Sequence, residues 1–353
     1  MPELPEVEAA RRLVEKHCKG KALVDVVSTE AGGHARDGEF DSIVFDDPDL
    51  TAEGVRKYLS GKKLKAVHRK GKQLWLELSS GPHLLAHFGM TGAFVVRGVQ
   101  PMEYQEFKVR DETWPPRFTK LELVFEGETR LAFCDPRRLG RLRLRADPMK
   151  QPPWADLAPD ALLEPVSLER ATAMLGAKGC PIKALLLDQN TMVSGVGNWV
   201  ADEVLFSAAI HPEAVCNTLS HRQISALIAS MHTVLSTACE ANANSTSFPS
   251  DWLFHVRWGK GKGGAVAPRV PGPNGGPISF MTVGGRTSAV VVSRQKKGEG
   301  RTTDSASAAK NGTSGGSKAA KASKGKAARR QEPAEAVEPP AKRSKYFSKR
   351  KKA

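Results

Sequence analysis

The first eight residues, MPELPEVE, put a proline beside the initiator methionine and carboxylates at Glu3 and Glu6 directly behind it. Removal of Met1 would leave Pro2 as the amino terminus. Its nitrogen would then be a secondary amine, and an α-amino group titrates near about 7.7–8.0, so a sizeable fraction is unprotonated and nucleophilic at neutral pH. Such an amine can attack a sugar C1′ and form an iminium. Glu3 is near enough in sequence to exchange a proton with the same substrate, as a general acid does. A plainer account fits the same residues: a proline at position two permits methionine removal and the glutamates begin a helix.

These groups need a support. Val7, Ala10, Val14 and Cys18 recur at helical spacing, and Gly20 supplies a stop, which predicts a helix from Glu6 to Cys18. Strand-like runs follow, ALVDVVS, KLKAVHRK, QLWLELS, HLLAHF, AFVVR, KLELVFE and TRLAFCD, separated by glycine, proline and charged turns. Short alternating strands with few helices between them predict a sandwich or a barrel. The polar stretch 98–116 reads as a surface loop, and the proline-rich stretch 146–161 as a linker. Beyond it the period turns helical in SLERATAMLGAK, PIKALLLDQ, GNWVADEVLFSAA and LSHRQISALIASMHTVLSTACEA, the last opened by Ser220 and Gln223 at capping-box spacing. The glycines of GVGN stand just before the third of these helices and leave its first amides open for a phosphate or another anion. Finally, ISFMTVGGRTSAVVVSR sets β-branched runs on both sides of Gly284 and Gly285, a hairpin signal.

With 353 residues the chain can build two or more cores. Its formal charge of +15 calls for a polyanionic partner, but from Gln295 onward 17 basic residues face 5 acidic ones, so +12 belongs to the tail and +3 to the rest. Nucleic-acid binding by the body must therefore rest on particular residues. The five cysteines stand singly, without a CxxC pair, which suits free thiols in a reducing compartment. No apolar run approaches the roughly 20 residues of a membrane span. The tail, rich in Ser, Ala, Gly and Lys, is expected to be disordered. Its end, AKRSKYFSKRKK, reads as a nuclear import signal or a DNA tether.

In their order along the chain, PELPEVE, KGKQL, HFGMTG, DPRRLG, GVGN and GGRTSAVV resemble the formamidopyrimidine-DNA glycosylase (MutM) branch of the Fpg/Nei family, which excises oxidised bases. The resemblance implies an α+β fold: an N-terminal β-sandwich domain with flanking helices (2–145), the linker, a helical helix-two-turn-helix domain (162–257), a β-hairpin finger (258–294) and the tail (295–353). It implies a glycosylase and AP lyase in which Pro2 is the nucleophile, Glu3 the acid and Glu6 their support, with no cofactor. Lys72, Arg138, Lys183, Asn198 and Arg286 would hold phosphates, while Met90, Arg137 and Leu139 fill the gap left by the extruded base. The partner would be double-stranded DNA carrying oxidised bases or abasic sites, met by a monomer in the nucleus, with no membrane involved.

Three departures from the bacterial pattern matter. Leu139 stands where that pattern has phenylalanine, so it can wedge but not stack. Residues 258–294 hold no cysteine and no histidine lies beyond His255, which excludes four-ligand zinc binding by ligand count and resembles the zincless finger of plant and fungal members. The segment 242–261 is shorter than in bacterial relatives, where a loop covers flipped 8-oxoguanine, which makes ring-opened formamidopyrimidines and further-oxidised guanines at least equal candidates. Two other functions remain open, a Nei-like enzyme for oxidised pyrimidines and a non-catalytic DNA-damage binder.

Overall fold

The computed structural model describes residues 2–100, 113–258 and 268–297. The tail beyond residue 297, most of the predicted loop at 98–116 and part of the finger region lie outside the described residues; Gln295 and Lys296, assigned to the tail, are instead joined to the body, Gln295 being 2% exposed and Lys296 N donating to the Ala209 carbonyl at 3.0 Å.

Helix α1 spans Leu4–Cys18, two residues earlier than its apolar spacing predicts, because Pro5 fits the first turn, where no amide is needed. Seven of the next strands fall where alternation places them: β1 (Leu23–Val27), β2 (Leu64–Lys70), β3 (Gln73–Leu78), β4 (His83–His87), β5 (Ala93–Val96), β6 (Thr119–Phe125) and β7 (Arg130–Cys134). Two elements come as additions. Helix α2 (Ala52–Leu59) is short and mostly polar, capped by Thr51, and buries only Val55 and Leu59. Strand β8 (Arg141–Arg145) reads RLRLR, with Leu142 fully buried and its arginines paired to Asp46 and Asp47. The outer edge of this strand is covered by the segment 44–47: Leu142 N donates to the Val44 carbonyl at 2.7 Å and Asp46 N to the Leu142 carbonyl at 3.2 Å.

The strands form two antiparallel four-stranded sheets, ordered β1-β6-β7-β5 and β2-β3-β4-β8. Alternate side chains from the two sheets meet in one core, among them Leu23, Leu121, Leu123 and Phe133 from the first sheet and Leu64, Leu74, Leu76 and Leu84 from the second. The predicted sandwich is therefore present. Each such fully buried aliphatic side chain contributes roughly 1.5–3 kcal/mol.

The helical half contains α3 (Leu168–Gly176), α4 (Ile182–Leu187), α5 (Asn198–Ser207) and α6 (His221–Glu240), the last opened by the expected Ser220 and Gln223 capping box. Its core gathers Ile182, Leu186, Val200, Leu205, Leu227 and Leu235, and also Leu4 from the start of α1. Val7, Ala10 and Val14, on the same helix, belong to the sandwich core. Helix α1 thus joins both hydrophobic cores.

After two short strands, β9 (Arg269–Val270) and β10 (Gly276–Pro277), the predicted hairpin forms from β11 (Ser279–Val283) and β12 (Arg286–Val290). Gly284 and Gly285 both take positive φ, 58° and 71°, as a tight two-residue turn requires. Among the described residues, no helix is long and apolar enough to cross a membrane.

Candidate active site

Helix α5 begins at GVGN, and its first amides are not left open. The Glu3 carboxylate occupies them: Trp199 N donates to one oxygen at 2.9 Å and Val200 N to the other at 3.0 Å. The positive end of the helix dipole and two orphan N–H groups hold the charge of a residue that is 2% exposed. The anion expected at this turn is therefore a side chain of the protein itself. Gly197 is needed for this approach, since a Cβ there would lie 2.2 Å from Glu3 Cδ. Gly195, at φ 106°, is equally crowded by Leu4, whose amide donates to its carbonyl at 3.2 Å. The start of α1 and the start of α5 are fitted to one another with no room for a methyl group.

Pro2 is buried at this junction. Glu6 lies one helical turn further on, where one carboxylate oxygen accepts Glu3 N at 2.9 Å and the other accepts Trp199 Nε1 at 3.1 Å. Burial, aided by repulsion from Glu3, raises its pKa to about 7. Near neutral pH it is therefore divided between its two protonation states.

Lys72 follows Gly71 in the turn between β2 and β3, half-buried. Burial lowers its pKa, Glu3 and Glu6 oppose that shift, and Arg286 adds to it, so the four charges share one electrostatic neighbourhood. The turn is anchored by Asp160, which accepts Gly71 N at 2.7 Å and also Leu162 N and Leu163 N. Asp160 pairs with the fully buried Arg69, which reaches Glu8 on α1 at 3.0 Å. Residues 146–161 are thus a packed strap, with Trp154 set edge-on against Trp75 at 5.6 Å. His87, at the end of β4, is held neutral: burial, then Lys72 and two arginines, lower its pKa to about 4.

Two turns carry the expected gap-filling residues. Met90 is half-buried, whereas Arg137 and Leu139 are exposed. Buried Asp135 ties the turns together: it accepts Thr91 Oγ1 at 2.6 Å from one, and Arg137 N at 3.2 Å and Gly140 N at 2.6 Å from the other. A Cβ on Gly89 would strike the Leu139 carbonyl at 2.4 Å, so the turns also touch through backbone.

Two residues expected on phosphate are engaged elsewhere in the protein. Arg138 has its guanidinium on Asp41, with Nε and Nη2 donating at 2.7 and 2.9 Å. Lys183 is wholly buried and donates to Asp202 at 2.6 Å, Ser288 Oγ at 2.7 Å and the Thr287 carbonyl at 3.2 Å. Asp202 also accepts Ala289 N and pairs with Arg257, so α4 and α5 grip strand β12 through buried charges. This network seats the hairpin, with Arg286 exposed beside its tip. Asn198 is half-buried at the first position of α5, and its side-chain oxygen has no hydrogen-bond partner among the described residues.

Sequence reasoning missed the carboxylates that position these groups, Asp41, Asp135, Asp160 and Asp202. Asp135 could have been found within DPRRLG as a turn-closing acid. The others act across roughly 20 to 100 residues and leave no local signal.

Residues 1–142 match the formamidopyrimidine-DNA glycosylase N-terminal domain, and residues 157–250 match the H2TH domain of the same family. A formamidopyrimidine-DNA glycosylase of Arabidopsis thaliana is 40% identical over 297 residues, 84% of this chain and 71% of that protein. The Paracoccus denitrificans enzyme of the same name is 31% identical over 245 residues, covering 69% of this chain and 80% of its own length. Among solved structures, Lactococcus lactis Fpg bound to DNA with an AP site is similar at a TM-score of 0.66 and 25% identity, across 84% of this chain and all of that one. MutM of Thermus thermophilus gives a TM-score of 0.61 at 30% identity, with the same coverage. The chain belongs to the formamidopyrimidine-DNA glycosylase family. It is a DNA glycosylase of base excision repair by that membership.

Proposed function

We propose that the protein is a bifunctional glycosylase and AP lyase that removes oxidised purines from double-stranded DNA, with Pro2 as nucleophile once Met1 is gone. The observation that carries this reading is the seating of Glu3 and Glu6, next to Pro2, on the N-terminus of α5 within reach of the charges of Lys72 and Arg286. The Lactococcus lactis relative bound to AP-site DNA supports the choice of polymer.

The Pro2 nitrogen attacks C1′, the bond to the base breaks, and its electrons leave with the base, which takes up a proton. The Glu3 carboxylate takes the proton that the Pro2 nitrogen loses and delivers it to the sugar ring oxygen as the ring opens, leaving an iminium on Pro2. The iminium acidifies C2′. Loss of that proton expels the 3′ phosphate, and a second elimination expels the 5′ phosphate. Glu6 holds the Glu3 amide while this happens, and Lys72, with exposed Arg286, faces the backbone. Extruding the base costs a few kcal/mol, less for a damaged one; Met90, Arg137 and Leu139 fill the space it vacates. The substrates are formamidopyrimidines, 8-oxoguanine and further-oxidised guanines. The basic tail directs the protein to the nucleus.

Borohydride reduction of the iminium tests the nucleophile. Wild-type protein incubated with abasic or lesion-bearing duplex should be trapped covalently, and Pro2→Gly should lose nearly all of the adduct. An adduct at wild-type yield in Pro2→Gly would sink the assignment.

A further inference from the structure

The turn bearing Arg137 and Leu139 is held from two sides, and only Asp135, the inner hold, lies within its own motif. The outer hold is Asp41, 97 residues earlier in the chain, whose carboxylate receives the Arg138 guanidinium through two hydrogen bonds of 2.7 and 2.9 Å. Such a paired contact fixes orientation as well as distance. Arg138 needs fixing, because its φ of 55° is in the left-handed region that a residue with a Cβ rarely adopts.

Asp41 is itself immobilised. It is 1% exposed, its Oδ1 accepts the amides of Ile43 and Val44 at 3.1 and 3.3 Å, and its carbonyl accepts Val44 N and Phe45 N. Lys120, buried on β6, stands 3.3 Å from Oδ2 and is anchored to Glu30 at 2.6 Å. The clamp is therefore built into the sandwich, while its other jaw, Arg138, is partly exposed at 31%.

We propose that Asp41 is a positioning residue for base extrusion: by clamping Arg138 it sets the direction in which the flanking Arg137 and Leu139 project into the vacated space. The inference rests on the glycosylase reading given above. It turns Arg138 from a phosphate ligand into the link between the sandwich and the wedge.

Two substrates separate this role from general support of the fold. Duplex DNA with a formamidopyrimidine requires the wedge, whereas a single-stranded abasic oligonucleotide has no base to extrude and no partner strand to keep apart. In single-turnover assays Asp41→Asn should slow duplex excision by about 10-fold or more, the scale of loss when a positioned group shifts slightly. Cleavage of the single strand by Asp41→Asn should stay at the wild-type rate. Arg138→Gln, reached from the exposed side of the clamp, should slow duplex excision by a similar factor, and the double variant should be no slower than either single one. Asp41→Glu should recover part of the loss. Duplex excision by Asp41→Asn at the wild-type rate, equal losses on both substrates, or losses that multiply in the double variant would each overturn the clamp. A wild-type protein that cleaves neither substrate would instead overturn the glycosylase reading beneath it.

Discussion

Glu3 and Leu139 are 2% and 39% exposed, and the parts of the molecule around them are built differently. Around Glu3, two helix starts from different halves of the chain meet so closely that glycine is required at positions 195 and 197. Both carboxylate oxygens are occupied by amides of α5. Around Leu139 only the base of the turn is fixed, by Asp135 and Asp41, while the tips of Arg137 and Leu139 stand in solvent. On the proposed reading, chemistry on a sugar tolerates little displacement of Glu3, so its site is fully packed. The gap-filling proposed for Arg137 and Leu139 would require reach, and these side chains project from a rigid root.

Three substitutions test the contrast, in falling order of expected effect. Gly197→Ala places a methyl group 2.2 Å from Glu3 Cδ, which must move. We expect excision to fall by about 100-fold and stability by about 1–3 kcal/mol, read by single-turnover assay and chemical denaturation. An unchanged rate would show that the acid needs no such close seat.

The second concerns protons. The folded pKa of Glu6, about 7, lies above its unfolded value, so the folded state binds the extra proton between them. Stability is then fullest below the unfolded pKa, falls as pH rises toward about 7 and levels off above it. Glu203, raised to about 8 by burial, has the same sign and extends the decline. His87, lowered to about 4 by burial, contributes the opposite slope over much of the same range, so the quantity to measure is a difference: the stability of wild type relative to Glu6→Gln should fall as pH rises from about 4.5 to about 7. A wild-type stability that rose relative to Glu6→Gln over that window would contradict the burial assigned to Glu6.

The smallest effect belongs to the turn tip. Leu139→Ala should slow duplex excision by several-fold while changing stability by no more than about 0.5 kcal/mol, because the side chain is already in water. A large loss of stability would mean that Leu139 is a packing residue rather than a projecting one.

Much of the fold was legible because burial in a two-sheet sandwich writes period two into the strands and burial of a helix face writes 3.6. Strand β8 escaped notice although RLRLR alternates, because it follows the DPRRLG turn directly and its arginines resemble a charged loop. Helix α2 escaped because only Val55 and Leu59 mark its buried face. In the candidate site, the proposed residues that stand in short motifs, Pro2, Glu3, Glu6 and Met90, could be named as candidates from their neighbours. What these residues touch could not. The anion at GVGN is Glu3, Arg138 is engaged by Asp41 and Lys183 by Asp202, and each pairing joins segments far apart in the chain. Nothing local to either partner records it.

Helix α1 has one more consequence, which concerns time. Leu4 packs among the helices of the C-terminal half, and Glu3 is bonded to amides 196 and 197 residues later. During synthesis the sandwich strands emerge before residues 195–200 are made, and domains generally fold as they appear. The opening residues must therefore wait, unseated, until the helical half has been translated and docked. The proposed catalytic corner is among the last parts of the protein to be completed, and a ribosome that stalls before α5 releases a sandwich whose amino-terminal end has nothing to hold it.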